Sequence, residues 1–214
     1  MTDIVQSETK VCVLDYGSGN LKSVFNLFSA LGETVVSNDP SAMQDATHIV
    51  LPGVGAFGSA MRRIRELIPM EALTEQVFGA GKPFLGVCVG MQVLANKGHE
   101  FGEFDGLGWI PGFVDRLDTA GLPLPHIGWN DLALLGAHPL LAGLGEAPDF
   151  YYVHSYAFHP TDPDTVLATT SFGNEFAAAI AKDNVMGVQF HPEKSQRAGI
   201  RLARNFLEIG RNVA

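Results

Sequence analysis

The segment Gly86-Val87-Cys88-Val89-Gly90 has the form G-x-C-x-G and lies between an apolar, strand-like run at 83–87 and a helical stretch opened by residues 91–95. A nucleophile at such a junction sits on a sharp turn, and glycines two positions to either side are needed because β-carbons there would collide. The sulfur would leave the carboxyl end of a sheet. A helix starting near Gly90 would turn unpaired N–H groups and a positive dipole end toward it, favouring the thiolate. The bland alternative is a buried, inert cysteine in an apolar strand, and that is the reading of the other cysteine, Cys12, inside residues 10–14.

A thiolate needs a proton partner. Of the seven histidines, His48 stands at a strand start, and His99, His138 and His159 stand in loop-like contexts that suit solvent or capping roles. His126 and His154 are less easily set aside. His191 differs from all of these. In Gln189-Phe190-His191-Pro192-Glu193 the proline holds the preceding histidine extended, and residues two apart in an extended chain project to the same side. The Glu193 carboxylate could then hold one imidazole nitrogen and leave the other as a base, which is the logic of nucleophile, base and orienting third group. Taken alone, a loop histidine beside a surface glutamate is the competing reading. The separation of 103 positions from Cys88 to His191 is no obstacle, because triads assemble in space. Pro52-Gly53-Val54-Gly55 follows another strand-like run, in the crevice where open sheets bind ligands, and its backbone N–H groups could hold an oxyanion. A Gly/Pro turn with no duty is the alternative there.

These groups need a frame. Residues 10–14, 34–36, 47–51 and 83–87 are short apolar runs with turn signals after them. Leu21, Val24, Phe25, Phe28 and Leu31 recur at helical spacing before Gly32, and Met61, Ile64, Ile68, Leu73 and Val77 do so on either side of Pro69. Strands buried on both faces and alternating with amphipathic helices predict an α/β, flavodoxin-like fold with a central, mostly parallel sheet flanked by helices. From about Leu107 strand-like pieces at 109–117, 150–156, 166–170, 176–182 and 185–190 read as additional antiparallel hairpins, followed by a last helix marked by Ile200, Leu202, Ala203, Phe206, Leu207 and Ile209. Residues 1–9 read as a polar N-terminal extension and residues 10–214 as one domain.

Composition removes several classes of function. Fourteen basic against 23 acidic residues give a net charge of −9 and no basic block to displace counterions, so nucleic acid is not expected as a partner. No apolar run approaches the roughly 18 residues of a membrane span, and residues 1–10 are polar rather than an export signal, so no membrane association and a cytoplasmic location are expected. Gly17-Ser18-Gly19 lacks the third glycine of a dinucleotide fingerprint, and no C-x-x-C, H-x-H or H-E-x-x-H spacing occurs. Neither a cofactor nor a metal is expected.

Together, Gly86-Val87-Cys88-Val89-Gly90-Met91-Gln92, Gly187-Val188-Gln189-Phe190-His191-Pro192-Glu193 and Pro52-Gly53-Val54-Gly55 resemble the triad-type, class I glutamine amidotransferases. Asp15-Tyr16-Gly17-Ser18-Gly19-Asn20-Leu21, residues 51–58 and 125–130, Val153-His154-Ser155-Tyr156 and Glu193-Lys194-Ser195 narrow the likeness to glutaminase subunits of imidazole glycerol phosphate synthase, from about Lys10 to the last helix. Val89 departs from it, standing where that family more often has leucine. The resemblance implies hydrolysis of L-glutamine to glutamate and ammonia. It also implies passage of the ammonia to a separate cyclase subunit with a (β/α)₈ barrel, which makes imidazole glycerol phosphate and an aminoimidazole carboxamide ribotide in histidine biosynthesis.

By the same resemblance Cys88 attacks the amide, His191 moves the proton and Glu193 orients His191. Val54, Gly55 and the amide of Val89 would hold the oxyanion, and Gly53, Gln92, Ser155 and Glu100 are expected as substrate contacts. The loops around residues 126–130 and 153–156 would border the partner in a heterodimer, where aromatic anchors suit an interface. Competing readings are a glutaminase serving another synthase, a non-catalytic module on the same fold, and a stand-alone cysteine hydrolase or thiol sensor. The segments at 125–130 and 193–195 argue against the first, and retention of all three triad residues against the second.

Overall fold

Three fully buried runs, HIVLPG, FLGVC and VMGV, make the centre of the fold, as expected for parallel strands covered on both faces. The computed structural model describes residues 9–17 and 19–210; residues 1–8 of the expected N-terminal extension and Ser18 lie outside the described residues. In chain order the first half runs β1 (Lys10–Val13), α1 (Leu21–Ser29), β2 (Glu33–Val36), α2 (Pro40–Asp45), β3 (His48–Gly53), α3 (Phe57–Leu67), α4 (Met70–Thr74), a π turn (Glu75–Gly79), β4 (Phe84–Cys88) and α5 (Val89–Gln92). The second half runs β5 (Lys97–Gly98), β6 (Phe104–Asp105), β7 (Gly112–Arg116), β8 (His126–Asp131), β9 (Ala133–Leu134), β10 (Asp149–His154), β11 (Tyr156–Pro160), β12 (Val166–Phe172), β13 (Asn174–Lys182), β14 (Val185–Val188) and α6 (Gln196–Glu208).

The main sheet has eight strands in the order β2-β1-β3-β4-β14-β13-β12-β9. The five from β2 to β14 are parallel and the last three antiparallel. Two small sheets, β10-β8 and β11-β7-β5-β6, cover one end. The mixed α/β fold expected from the alternating pattern is therefore present, and one hydrophobic cluster runs through it from Val11 to Leu207. Helices α1 and α6 meet through an edge-to-face pair, Phe28 and Phe206, with ring centroids 6.0 Å apart.

Several expectations need correction. The hairpin expected over residues 176–190 is present, since β14 pairs antiparallel with β13; what the sequence did not disclose is that β14 also lies parallel to β4, with Gly187 opposite Gly86 and Val188 opposite Val87. It is an interior strand, and its fully buried VMGV run is the physical signature of that place. The strand-like stretch 150–156 is two strands, β10 and β11, in different sheets, divided at Ser155. The helix expected after Cys88 is a single turn, because Leu94 and Ala95 donate to Met91 and Gln92 in tighter turns instead of continuing it. Its macrodipole is correspondingly small.

Candidate active site

Cys88 is the last residue of β4 and has φ 57° and ψ −111°, a strained conformation of the kind found at a nucleophile elbow. The glycine requirement is physical. A β-carbon at Gly86 would strike the carbonyl of Gly90, and one at Gly90 would strike the carbonyl of Leu51 on the neighbouring strand. Gly53, paired with Cys88 across β3 and β4, is confined in the same way by the amide of Gly90, 2.7 Å from where its β-carbon would stand.

The chain beyond β14 is held tightly. Phe190 stacks on Phe150 with centroids 3.9 Å apart, and the His191 amide donates to Tyr151 O at 2.8 Å. Ser195 Oγ donates to His191 O at 2.6 Å and accepts from the Tyr151 amide at 3.0 Å. His191 is extended, at φ −104° and ψ 93°, as the following proline requires. Glu193, however, sits in the 3₁₀ turn Pro192–Lys194. A tight turn, and not the pleat of an extended chain, is what folds the carboxylate back onto the imidazole.

His191 Nδ1 lies 2.7 Å from Glu193 Oε1, with both side chains fully buried. A carboxylate only accepts, so Nδ1 carries the hydrogen and Nε2 is the nitrogen left for chemistry. Nε2 makes no hydrogen bond of ordinary geometry, and the group acting on it is the Cys88 sulfur; catalytic hydrogen bonds are commonly long before substrate arrives. Burial pulls the His191 pKa down, but the Cys88 sulfur and the Glu193 carboxylate outweigh it and raise the value from 6.5 to about 9. The arrangement favours the imidazolium form of His191. Cys12, by contrast, is pushed up to about 11 by burial and donates to Ser37 O, as an inert structural thiol would.

A cavity of about 470 Å³ opens onto Cys88, within the size range of small-molecule sites. Val54, Gly55, Val89, Gln92, Glu100 and Ser155 line it together with Cys88. Gly53, at the end of β3, is not among the residues lining the cavity. Glu100 spends one oxygen on the Phe57 amide at the start of α3, 2.8 Å away, and burial raises its pKa. Gln92 is buried and donates to Tyr156 O at 2.9 Å and Gln189 Oε1 at 3.0 Å. A larger concavity of about 790 Å³, lined by Pro40, Gln44, Pro69, Met70 and Glu75 among others, contains neither cysteine nor histidine.

Two contributors went unassigned in the sequence. Asn20 precedes α1 but does not cap it; its Nδ2 donates to Glu193 Oε1 at 3.1 Å, placing a neutral donor on the orienting carboxylate. The only hint was an Asn after a glycine turn, a pattern indistinguishable from a cap. Gln189 donates to Cys88 Sγ at 3.6 Å. Among the remaining histidines, His138 caps the amide of Leu140, while His48 is buried, with Nε2 2.9 Å from Ile209 O, against the expectation of a solvent or capping role. His126 and His154 are buried and bonded to each other at 3.1 Å. Among the described residues no group of three His, Cys, Asp or Glu could hold a metal ion, and no helix is long and apolar enough to cross a membrane.

Residues 12–209 match the family model described as Glutamine amidotransferase class-I. The subunit HisH of imidazole glycerol phosphate synthase from Zymomonas mobilis is 47% identical over 211 residues, covering 95% of this chain and 97% of its own. The protein of the same description from Aquifex aeolicus is 46% identical over 199 residues, covering 92% and 95%. Among solved structures, a glutamine amidotransferase from Thermotoga maritima superposes with TM-score 0.61 at 16% identity, covering 94% of this chain and 83% of its own, a likeness of fold.

Proposed function

The chain belongs to the class-I glutamine amidotransferase family, and from that premise we propose that it is the glutaminase subunit of an imidazole glycerol phosphate synthase, releasing ammonia from L-glutamine for histidine biosynthesis. The observation that carries the reading is the buried 2.7 Å contact between His191 and Glu193 behind a cysteine on a strained elbow. The Cys88 thiolate attacks the side-chain amide carbon and forms a tetrahedral adduct. The backbone amides of Val54, Gly55 and Val89, on the cavity wall, take the developing oxyanion. The His191 imidazolium protonates the departing nitrogen, and ammonia leaves a thioester. His191, now neutral, takes a proton from water, whose oxygen attacks the thioester and frees glutamate. Glu193 stabilises the imidazolium throughout. Glu100 offers a carboxylate to the substrate's ammonium group, and Gly53, Gln92 and Ser155 complete its bed.

The partner is a cyclase subunit with a (β/α)₈ barrel. On β8, Ile127 and Trp129 point outward and stay about half exposed, while His126 points inward. Trp129 lies edge-on to Tyr151 at 6.1 Å, and Lys194 Nζ stands 5.6 Å over the Tyr151 ring. Exposed aromatics beside the site support docking there. Two free cysteines suit a reducing compartment, the cytoplasm. The test is a glutaminase assay with and without the cyclase, using a glutamine-analogue alkylator. Hydrolysis is expected to be feeble alone and strong in the complex, with the label on Cys88. Cys88→Ala should abolish hydrolysis and leave ammonia-driven synthesis intact. Label elsewhere, or loss of both activities, overturns the reading.

A further inference from the structure

The hydrogen bonds around Cys88 have a direction that the triad does not explain. The carbonyl oxygen of Tyr156 can only accept, so Gln92 must turn its NH₂ group toward it, at 2.9 Å. The same nitrogen reaches Gln189 Oε1 at 3.0 Å. With its oxygen engaged there, Gln189 turns its own NH₂ group to the Cys88 sulfur, 3.6 Å away. Flipping Gln92 would set its oxygen against the Tyr156 carbonyl oxygen, and flipping Gln189 would set N–H against N–H and oxygen against sulfur. Both carboxamides are buried, Gln189 completely, and the Gln189 backbone is pinned by its amide to Ala178 O at 2.8 Å. His154 Nδ1 reaches the same Tyr156 carbonyl at 2.9 Å, so that oxygen accepts from two donors.

We infer that Gln189 is a further catalytic residue, whose side-chain N–H donates to the Cys88 thiolate and holds it toward the cavity, and that Gln92 is the positioning residue that aims it. The inference rests on Cys88 being the nucleophile. A donor aimed at sulfur is worth more to the anion than to the neutral thiol, because hydrogen bonds to charged groups are the stronger ones. With α5 reduced to one turn and its macrodipole correspondingly small, Gln189 supplies a donor to the sulfur from the neighbouring strand.

The test compares the full chain with Gln189→Glu and Gln189→Leu. The rate of Cys88 alkylation by iodoacetamide is followed against pH, and the site is assigned by mass spectrometry. Gln189→Glu keeps the oxygen Gln92 needs but faces the sulfur with a second oxygen; Gln189→Leu removes donor and acceptor. The titratable groups acting on the sulfur are His191 and Tyr16, with Glu193 and His154 acting on His191 and Glu100 on the cavity wall. All are common to the three proteins, so a shift reads residue 189. On the acid side of the inflection alkylation should slow about tenfold in the Leu variant and further in the Glu variant, with the inflection moving up by about one pH unit. An unmoved inflection, whether the plateau is unchanged or lowered, overturns the inference, since a packing role changes only the plateau. Melting curves identify a variant that fails to fold; if Gln189→Leu does, Gln189→Glu decides. Failure of wild-type Cys88 to react would overturn the parent reading as well.

Discussion

Glu193→Gln keeps the volume of the side chain and removes the charge that faces a buried imidazolium. His191 Nδ1 is 2.7 Å from Glu193 Oε1 and both side chains have no solvent exposure, so nothing screens the pair. A hydrogen bond to a charged group in such a place is worth about 1.5–3 kcal/mol. At about 1.4 kcal/mol per tenfold, kcat for glutamine hydrolysis should fall roughly 10- to 150-fold. KM should stay near that of the parent, because the carboxylate lies behind the imidazole and not on the cavity wall. The pH profile gives a second readout. Burial lowers the His191 pKa, and Cys88 and Glu193 together lift it from 6.5 to about 9. A raised value means the charged form is favoured in the fold: the stabilisation is full below 6.5 and is lost as pH rises through about 9. The variant should therefore show its alkaline limb at lower pH, and a loss of folding stability that shrinks toward the alkaline end of that window. Glutamate release by the complex with the synthase partner is the assay, with ammonia-driven synthesis as the control. A kcat within about threefold of the parent, together with an unmoved alkaline limb, would refute the reasoning, since neither the magnitude of a buried charge-assisted bond nor the sign of the shift leaves room for it.

Gly90→Ala should destabilise the fold by about 1–3 kcal/mol, the range for overpacking a tight site, and should lower glutaminase activity in whatever folds, because the new methyl meets the Leu51 carbonyl and pushes the elbow; an unchanged urea midpoint would contradict this. Acid should weaken the protein through His126 and His154, whose pKa values burial holds down at about 4 and about 3. Stability should be complete above the free imidazole value of 6.5 and fall as pH drops, by up to about 1.4 kcal/mol per histidine per pH unit. The urea midpoint measured at pH 7 and pH 5 checks it, and His154→Gln should flatten the slope.

The sequence disclosed the elbow because its demands are local. Gly86 and Gly90 are required by collisions within and beside one turn, and such a requirement is visible in a five-residue string. It paired His191 with Glu193, as the structure does, but partly by the wrong geometry, since Pro192 begins a 3₁₀ turn as readily as it ends an extended run. Gln189 and Asn20 were not legible as contributors. Their partners are 101 and 173 positions away, and a buried amide looks in sequence like any polar residue next to an apolar one. The interior place of β14 was hidden for a similar reason: VMGV fits a hairpin or a central strand, and only pairing with β4 decides between them.

That pairing is also what makes the site possible. Parallel strands β3, β4 and β14 are neighbours, so their carboxyl ends come to one edge. The ends deliver, in order, the early glycine loop, the cysteine and the chain leading to the histidine. Gly187 opposite Gly86 fixes the register, and Gln189 is then carried past the end of β4 to within reach of the sulfur. A slip of one residue would turn Gln189 and His191 to the other face of the sheet. The proposed base and the proposed amide donor thus depend on a single register and arrive together on one strand extension. A nucleophile supported in that way does not need the dipole of a long helix, which accounts for an elbow that works with only one turn of α5 behind it.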